Sequence, residues 1–103
     1  MQYDKNKIEL DLDRDRIKLI LLETYSICKD MLEVEFNTTV DDFVKQINVY
    51  LDSNRVTGSV LLSLPSRPYP EMRIEVNLRK KSVIARMVNK KKRIFLNRVL
   101  TKL

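Results

Sequence analysis

The sequence predicts an α+β fold, and three observations lead to that class. Apolar residues recur at helical spacing from about residue 13 to residue 32, and a second helical pattern follows residues 37–39. Residues 72–79 instead alternate between apolar and polar side chains, as in a strand with one buried face. With 103 residues, 44% of them hydrophobic and 33% charged, we expect one domain spanning residues 1–103.

A long helix is predicted near the N-terminus. Residues 8–12 alternate and indicate a short strand or an extended lead-in, after which Asp13 is the expected N-cap. The main apolar stripe of the helix consists of Ile17, Ile20, Leu21, Thr24, Ile27, Cys28 and Met31. Four further residues lie off this stripe: Leu19, Leu22, Tyr25 and Leu32. Because a helix that is apolar on two sides must bury both, residues 13–35 are a candidate homodimer interface.

A second helix is predicted over Val40–Ile47. Thr38 or Thr39 can cap it, and acidic residues in its first turn, Asp41 and Asp42, complement the positive end of the helix dipole. Its expected buried face consists of Val40, Phe43, Val44 and Ile47.

Residues 53–64 allow two interpretations, and the fold depends on them. A period of two predicts a strand that starts at Gly58 and buries Val60, Leu62 and Leu64. A period near 3.6 predicts a helix capped by Asp52 or Ser53, and we favour this interpretation, although a glycine inside a helix costs about 0.8–1 kcal/mol relative to alanine. The apolar stripe of that helix would be Val56, Val60, Leu61 and Leu64.

The remainder of the chain predicts an extended connection, a hairpin and a closing helix. The connection follows from Pro65, Pro68 and Pro70, which fix their own backbone φ angles. Residues 72–78 and 82–88 then predict a β-hairpin with a basic tip, Arg79-Lys80-Lys81. Beyond Lys90-Lys91-Lys92-Arg93, the spacing of apolar residues from 94 to 103 predicts an amphipathic helix, with a strand through residues 94–100 as the alternative.

Charge is divided unequally along the chain. Residues 1–52 contain 7 Lys/Arg and 12 Asp/Glu, whereas residues 53–103 contain 13 Lys/Arg and only 2 Asp/Glu. Concentrated positive charge attracts anionic partners, so we expect the second half to contact a polyanion, with nucleic acid favoured. The alternative is a solvated basic face that only keeps the protein soluble.

Composition also weighs against several classes of function. The chain has no histidine, one cysteine (Cys28) and one glycine, so it lacks the usual residues of acid–base catalysis, nitrogen/sulfur zinc sites and glycine-rich phosphate loops. We therefore expect a protein that is not an enzyme and binds no cofactor or metal. The apolar run Leu19–Leu22 is far shorter than the roughly 20 residues of a membrane span, and no export signal is evident. A cytoplasmic protein without membrane contact is expected, which a single cysteine also fits.

With residues 53–64 as a helix, the order helix, helix, helix, hairpin, helix resembles that of the winged helix-turn-helix DNA-binding proteins over residues 13–103. The resemblance implies that Ser53–Leu64 enters the major groove and that Met72–Val88 forms the wing. At the start of the recognition helix, it implies base contacts from Ser53, Asn54, Arg55 and Thr57. Phosphate contacts are expected from the basic residues Arg67, Arg79, Lys80, Lys81, Lys90, Lys91, Lys92 and Arg93.

With residues 53–64 as a strand, the order becomes two helices, a three-stranded antiparallel sheet and a helix. The last four elements resemble a double-stranded RNA-binding domain, which implies that residues 90–93 lie across the phosphates of a duplex. We favour duplex DNA over RNA, and expect a dimeric DNA-binding regulator or adaptor. The alternative function is a small interaction module or inhibitor, such as a phage or plasmid antagonist, that docks on a charged protein surface.

Overall fold

The computed structural model describes residues 7–66, 70–87 and 92–102. Three helices come first: α1 (Lys7–Ile27), α2 (Lys29–Val34) and α3 (Val40–Lys45). Five strands follow: β1 (Asn48–Leu51), β2 (Val56–Ser63), β3 (Pro70–Asn77), β4 (Ser82–Met87) and β5 (Lys92–Phe95). A short 3-10 helix, Asn97–Lys102, ends the described chain. The α+β class and the long N-terminal helix are confirmed, but the sheet has five strands in sequential antiparallel order rather than three.

Helix α1 begins at Lys7, so the prediction of a strand or lead-in at residues 8–12 and of an N-cap at Asp13 is wrong. Ile8 and Leu12 are four residues apart, a spacing that suits a helix as well as the alternation suits a strand. Asp13 lies inside the helix and is only 8% exposed. The predicted long helix is interrupted at Cys28, where the backbone departs from helical geometry before α2 begins at Lys29.

Thr39 caps α3 as predicted, since its Oγ1 accepts a hydrogen bond from the Asp42 N–H at 3.2 Å. Of the predicted buried face, Phe43 is fully buried and packs edge-on against the Tyr25 ring at 5.1 Å, and Ile47, beyond the end of α3, is half-buried against the core. Val40 and Val44 are more than 40% exposed, because a helix of six residues presents little more than one turn to the core.

The helical interpretation of residues 53–64 is wrong, and the strand interpretation is confirmed by β2. Strand β2 pairs with β1 on one side and β3 on the other, and every side chain from Val56 to Val60 is buried. Helix α1 lies directly on β2 at Gly58, where a Cβ atom would overlap the Cγ2 methyl of Ile17. The single glycine therefore permits close packing of helix on sheet.

Two further segments differ from the prediction. Residues 48–51, expected between two helices, form β1 and pair with β2 through the register Tyr50–Thr57. The predicted C-terminal helix over residues 94–103 is instead β5 followed by the 3-10 helix. Strand β5 pairs with β4, which supplies the hydrogen bonds that an isolated four-residue strand lacks.

The sheet has two different faces. Gly58, Val60, Ile74 and Val76 lie on the face that packs against α1, and the last three are fully buried. Alternation along the strands places the other residues on a second face, which we call the open face. It consists of Asn48, Tyr50, Thr57, Ser59, Leu61, Ser63, Arg73, Glu75, Asn77, Ser82, Ile84, Arg86, Arg93 and Phe95. None of the helices in the described part of the chain is both long and apolar enough to cross a membrane.

Candidate nucleic-acid interface

Three arginines stand side by side on the open face. Arg73 of β3 is in register with Arg86 of β4, and Arg86 is in register with Arg93 of β5. All three side chains are exposed, and neighbouring strands lie about 4.7–4.9 Å apart. We call these three residues the arginine row. Because like charges directly opposite each other destabilise a sheet, an anion bound across the row would relieve a repulsion that folding creates.

Little negative charge lies near the arginine row. Arg73 Nη2 forms an ion pair with Glu75 Oε2 at 3.0 Å. Neither Arg86 nor Arg93 has an ion pair with a residue that the structure describes. Glu71, the other acidic residue of the second half, is buried and has an interaction of its own. The positive charges of Arg86 on β4 and Arg93 on β5 are therefore not neutralised by an ion pair with a described residue, and an anionic ligand can bind them.

Apolar side chains flank the row on the same face. Phe95 is 66% exposed and lies two residues after Arg93 on β5, opposite Ile84 of β4. Leu61 is 41% exposed and lies opposite Arg73. The open face thus combines cations with an exposed aromatic ring, a combination that suits a polyanion with flat bases.

A second basic group forms at the end of the sheet where β1 turns into β2. Asp52 Oδ1 accepts hydrogen bonds from the backbone N–H groups of Asn54 and Arg55, each at 2.8 Å. Asp52 Oδ2 accepts from Nε and Nη2 of Arg55, each at 3.2 Å. The Arg55 guanidinium also lies over the Tyr50 ring, 4.9 Å from its centroid. Arg55 is therefore held in the turn by both Asp52 and Tyr50.

The hairpin tip is attached to this turn. Arg79 Nη1 donates a hydrogen bond to the Ser53 carbonyl oxygen at 2.8 Å, across 26 residues of sequence. Lys80 and Lys81 follow in the same tip and are exposed, with the Lys81 backbone in the left-handed region at φ 51°. The structure therefore brings together most of two groups that the sequence predicted separately: Ser53, Asn54 and Arg55 with Arg79, Lys80 and Lys81.

Other predicted site residues are placed differently. Thr57 lies inside β2 rather than on a recognition helix, and at 8% exposure it offers little surface to a ligand. Arg93 lies on the open face, and Lys92 precedes it on β5. Arg67, Lys90 and Lys91 lie outside the described residues. The arginine row and the hairpin tip lie toward opposite ends of the six-residue strand β4, which spans about 20 Å.

Sequence reasoning missed Arg73, Arg86 and Phe95. The alternation of residues 72–79 places Arg73 on a polar face, and pairing across the basic tip would have placed Arg86 opposite it. Phe95 and its relation to Arg93 had no such signal, because residues 94–103 suit an amphipathic helix equally well.

The carboxyl of Asp52 predicts a pH dependence. Its pKa lies below the ordinary value, chiefly because the Asn54 N–H donates to the carboxylate, with Arg55 adding further hydrogen bonds and its charge. A lowered folded-state pKa means that the contribution of Asp52 to folding stability is complete above about pH 5 and is lost as the pH falls through the folded-state pKa. The test measures the urea midpoint of unfolding between pH 2 and 7 for the unaltered protein and for Asp52→Asn. We expect the midpoint of Asp52→Asn to fall less as the pH is lowered, because the variant has no carboxylate at this position to protonate. Identical profiles for the two proteins would contradict the assigned role of the turn.

The comparisons with known proteins identify no relative. No family model, curated protein or solved structure matches this chain.

Proposed function

We propose that this protein is a small, non-enzymatic nucleic-acid-binding protein that acts through the open face of its sheet. The observation that supports this most strongly is the register that aligns Arg73, Arg86 and Arg93 across three strands. Arginine contacts phosphate through a planar fork of N–H donors and releases condensed counterions when it binds. A row of three arginines that is repulsive in the free protein is best explained by a polyanionic ligand.

The basic hairpin tip supports the same function as a second contact. Lys80 and Lys81 are exposed, and Arg79 is fixed to the neighbouring turn, so the tip has a defined position relative to the sheet. A ligand that reaches both the tip and the arginine row must extend about 20 Å, which a nucleic acid does and a single small anion does not. We assign no role to a recognition helix, because residues 56–63 are a strand. A role as a regulator or adaptor stays a prediction.

The proposed function is tested by titrating purified, nuclease-treated protein against labelled double-stranded and single-stranded DNA and RNA. With three phosphate contacts from the row alone, affinity should fall by roughly 20- to 40-fold between 50 and 200 mM salt. Absence of binding to every one of these ligands at 50 mM salt would overturn the proposed function.

A protein partner is the second candidate, and one observation favours it. Ile8, Leu12 and Leu19 are 71%, 61% and 56% exposed, and their spacing places them on one stripe of α1. Tyr25 and Leu32, which the sequence assigned to a dimer face, are buried within their own chain. The case for a homodimer through residues 13–35 therefore depends on Leu19 and on the stripe that extends N-terminal to it.

The oligomeric state tests this second candidate. If α1 mediates a homodimer, light scattering at about 100 μM protein should give a mass near twice 12.2 kDa. The variant Leu12→Glu/Leu19→Glu should then be monomeric, since charge on the stripe opposes burial. A monomeric mass for the unaltered protein at that concentration would contradict the homodimer.

A further inference from the structure

We infer that the ligand of the open face is a single-stranded nucleic acid, whose backbone follows the arginine row while a base stacks on Phe95. This inference rests on the proposed function and specifies its ligand.

The shape of the face argues against a duplex groove. The major groove of B-form DNA is about 12 Å wide and admits a helix or a two-stranded ribbon. Five strands about 4.8 Å apart make a face roughly 19 Å across, so the open face cannot enter that groove. In a single strand the bases are free to turn toward a flat protein surface and stack there.

Phe95 is the aromatic residue on this face that is placed to accept a base. Its side chain is 66% exposed, and Arg93, two residues earlier on the same strand, directs a cation to the same side of the sheet. Tyr50, the other aromatic residue of the open face, is less exposed at 40%, and the Arg55 guanidinium covers its ring at 4.9 Å. A base would have to displace Arg55 from Tyr50, whereas Phe95 has no such covering group among the described residues.

The arginine row and Phe95 also suit the two parts of one nucleotide. Arginine at positions 86 and 93 offers charge to the phosphates, and the ring at position 95 offers a π face to the base. Stacking of this kind tolerates any base, because every base has a π face. We therefore expect weak sequence preference and strong salt dependence.

The test compares a 12-nucleotide single strand, as DNA and as RNA, with the duplex of the same sequence at 100 mM salt. We expect at least tenfold tighter binding of a single strand, with the DNA and RNA arms showing which sugar is preferred. Phe95→Leu should weaken single-strand binding by roughly 5- to 150-fold, the effect of losing one stacked base. Phe95→Tyr should retain binding, because it keeps the ring.

Val34→Ala is the matched control, since Val34 is an exposed apolar residue without a ring and lies on α2, outside the open face. It should change single-strand affinity by less than about twofold, and an unchanged thermal midpoint shows that each variant is folded. Binding of the duplex as tightly as the single strand, or unchanged single-strand binding by Phe95→Leu, would overturn this inference but not the proposed function. No binding of any strand or duplex, even at 50 mM salt, would overturn both.

Discussion

Replacing Arg73, Arg86 and Arg93 together by glutamine is expected to abolish most of the affinity for nucleic acid. Each phosphate contact contributes about 0.7–0.9 to the slope of log affinity against log salt, so the slope should fall by about 2–3. Extrapolated from 1 M salt, three lost contacts correspond to a loss of affinity of roughly 500- to 3,000-fold at 50 mM salt. Fluorescence anisotropy at four or more salt concentrations measures both quantities.

The matched control is Arg14→Gln/Lys18→Gln/Lys29→Gln. It removes the same charge from exposed positions on α1 and α2, and α1 packs on the sheet face opposite the open face. We expect its salt slope to change by less than about 0.5, which is smaller than one lost contact. Equal loss of affinity in both triple variants would show that net charge, and not the arginine row, determines binding.

Folding stability provides a second and independent result for the arginine variant. Cross-strand pairs contribute roughly 0.2–1 kcal/mol each, and like charges directly opposite each other are destabilising. The arginine row contains two such pairs, Arg73–Arg86 and Arg86–Arg93. Glutamine at the three positions relieves both repulsions but also removes the exposed Arg73–Glu75 ion pair, so the urea midpoint should change little while binding is lost. A large decrease in stability would indicate that the row has a structural role.

Gly58→Ala is expected to have the largest effect on stability among single methyl additions. The new Cβ atom would overlap the Cγ2 methyl of Ile17, and a β-branched side chain in a helix strongly prefers one χ1 rotamer, so rotation of this methyl away from the contact is costly. Overpacking of this kind costs typically 1–3 kcal/mol, or roughly 4–8 °C in Tm for each kcal/mol in a domain of this size. Ser59→Ala, one residue along β2 on the open face, should have little effect.

A double-mutant cycle with Ile17→Ala tests whether that contact is the cause. Removing the Ile17 methyl groups makes room for a Cβ at position 58, so the double variant should be less destabilised than the sum of the two single variants. Additive effects within about 0.5 kcal/mol would show that α1 does not rest on Gly58 as described.

The parts of the fold that could be predicted from the sequence are those determined by residues close together in the chain. The hairpin over residues 72–87 follows from alternation on both sides of a polar, basic tip, and the cap at Thr39 follows from its position before two acidic residues. Both depend on residues close together in the sequence. The same local alternation identified Arg79, Lys80 and Lys81 as a hairpin tip.

The errors arose where distant contacts decide the structure. Residues 56–63 fit a helix and a strand almost equally, and the deciding feature is the approach of α1 to Gly58, which depends on Ile17 about forty residues earlier. Strand β5 likewise depends on pairing with β4, because residues 94–100 carry apolar side chains at helical spacing. Local propensity yields to tertiary pairing in both segments.

The candidate site was only partly predictable for the same reason. Charge distribution alone identified the basic half of the chain, and Arg93 was among the expected contacts. The arginine row exists only because two strand registers coincide, and the second register involves β5, in a segment where the sequence favours a helix over a strand. The number of basic residues can be read from the sequence, whereas the alignment of three arginines across neighbouring strands depends on the topology of the whole sheet.

The most direct test of the open face as the binding surface uses the arginine Nε–Hε resonances in ¹H–¹⁵N spectra. A short single strand is added stepwise, and the signals are assigned by single Arg→Lys substitutions. We expect the resonances of Arg73, Arg86 and Arg93 to shift together along one binding curve, while that of the exposed Arg14 on α1 stays in place. Saturable binding that moves the Arg14 resonance and leaves the arginine row unchanged would contradict the central claim.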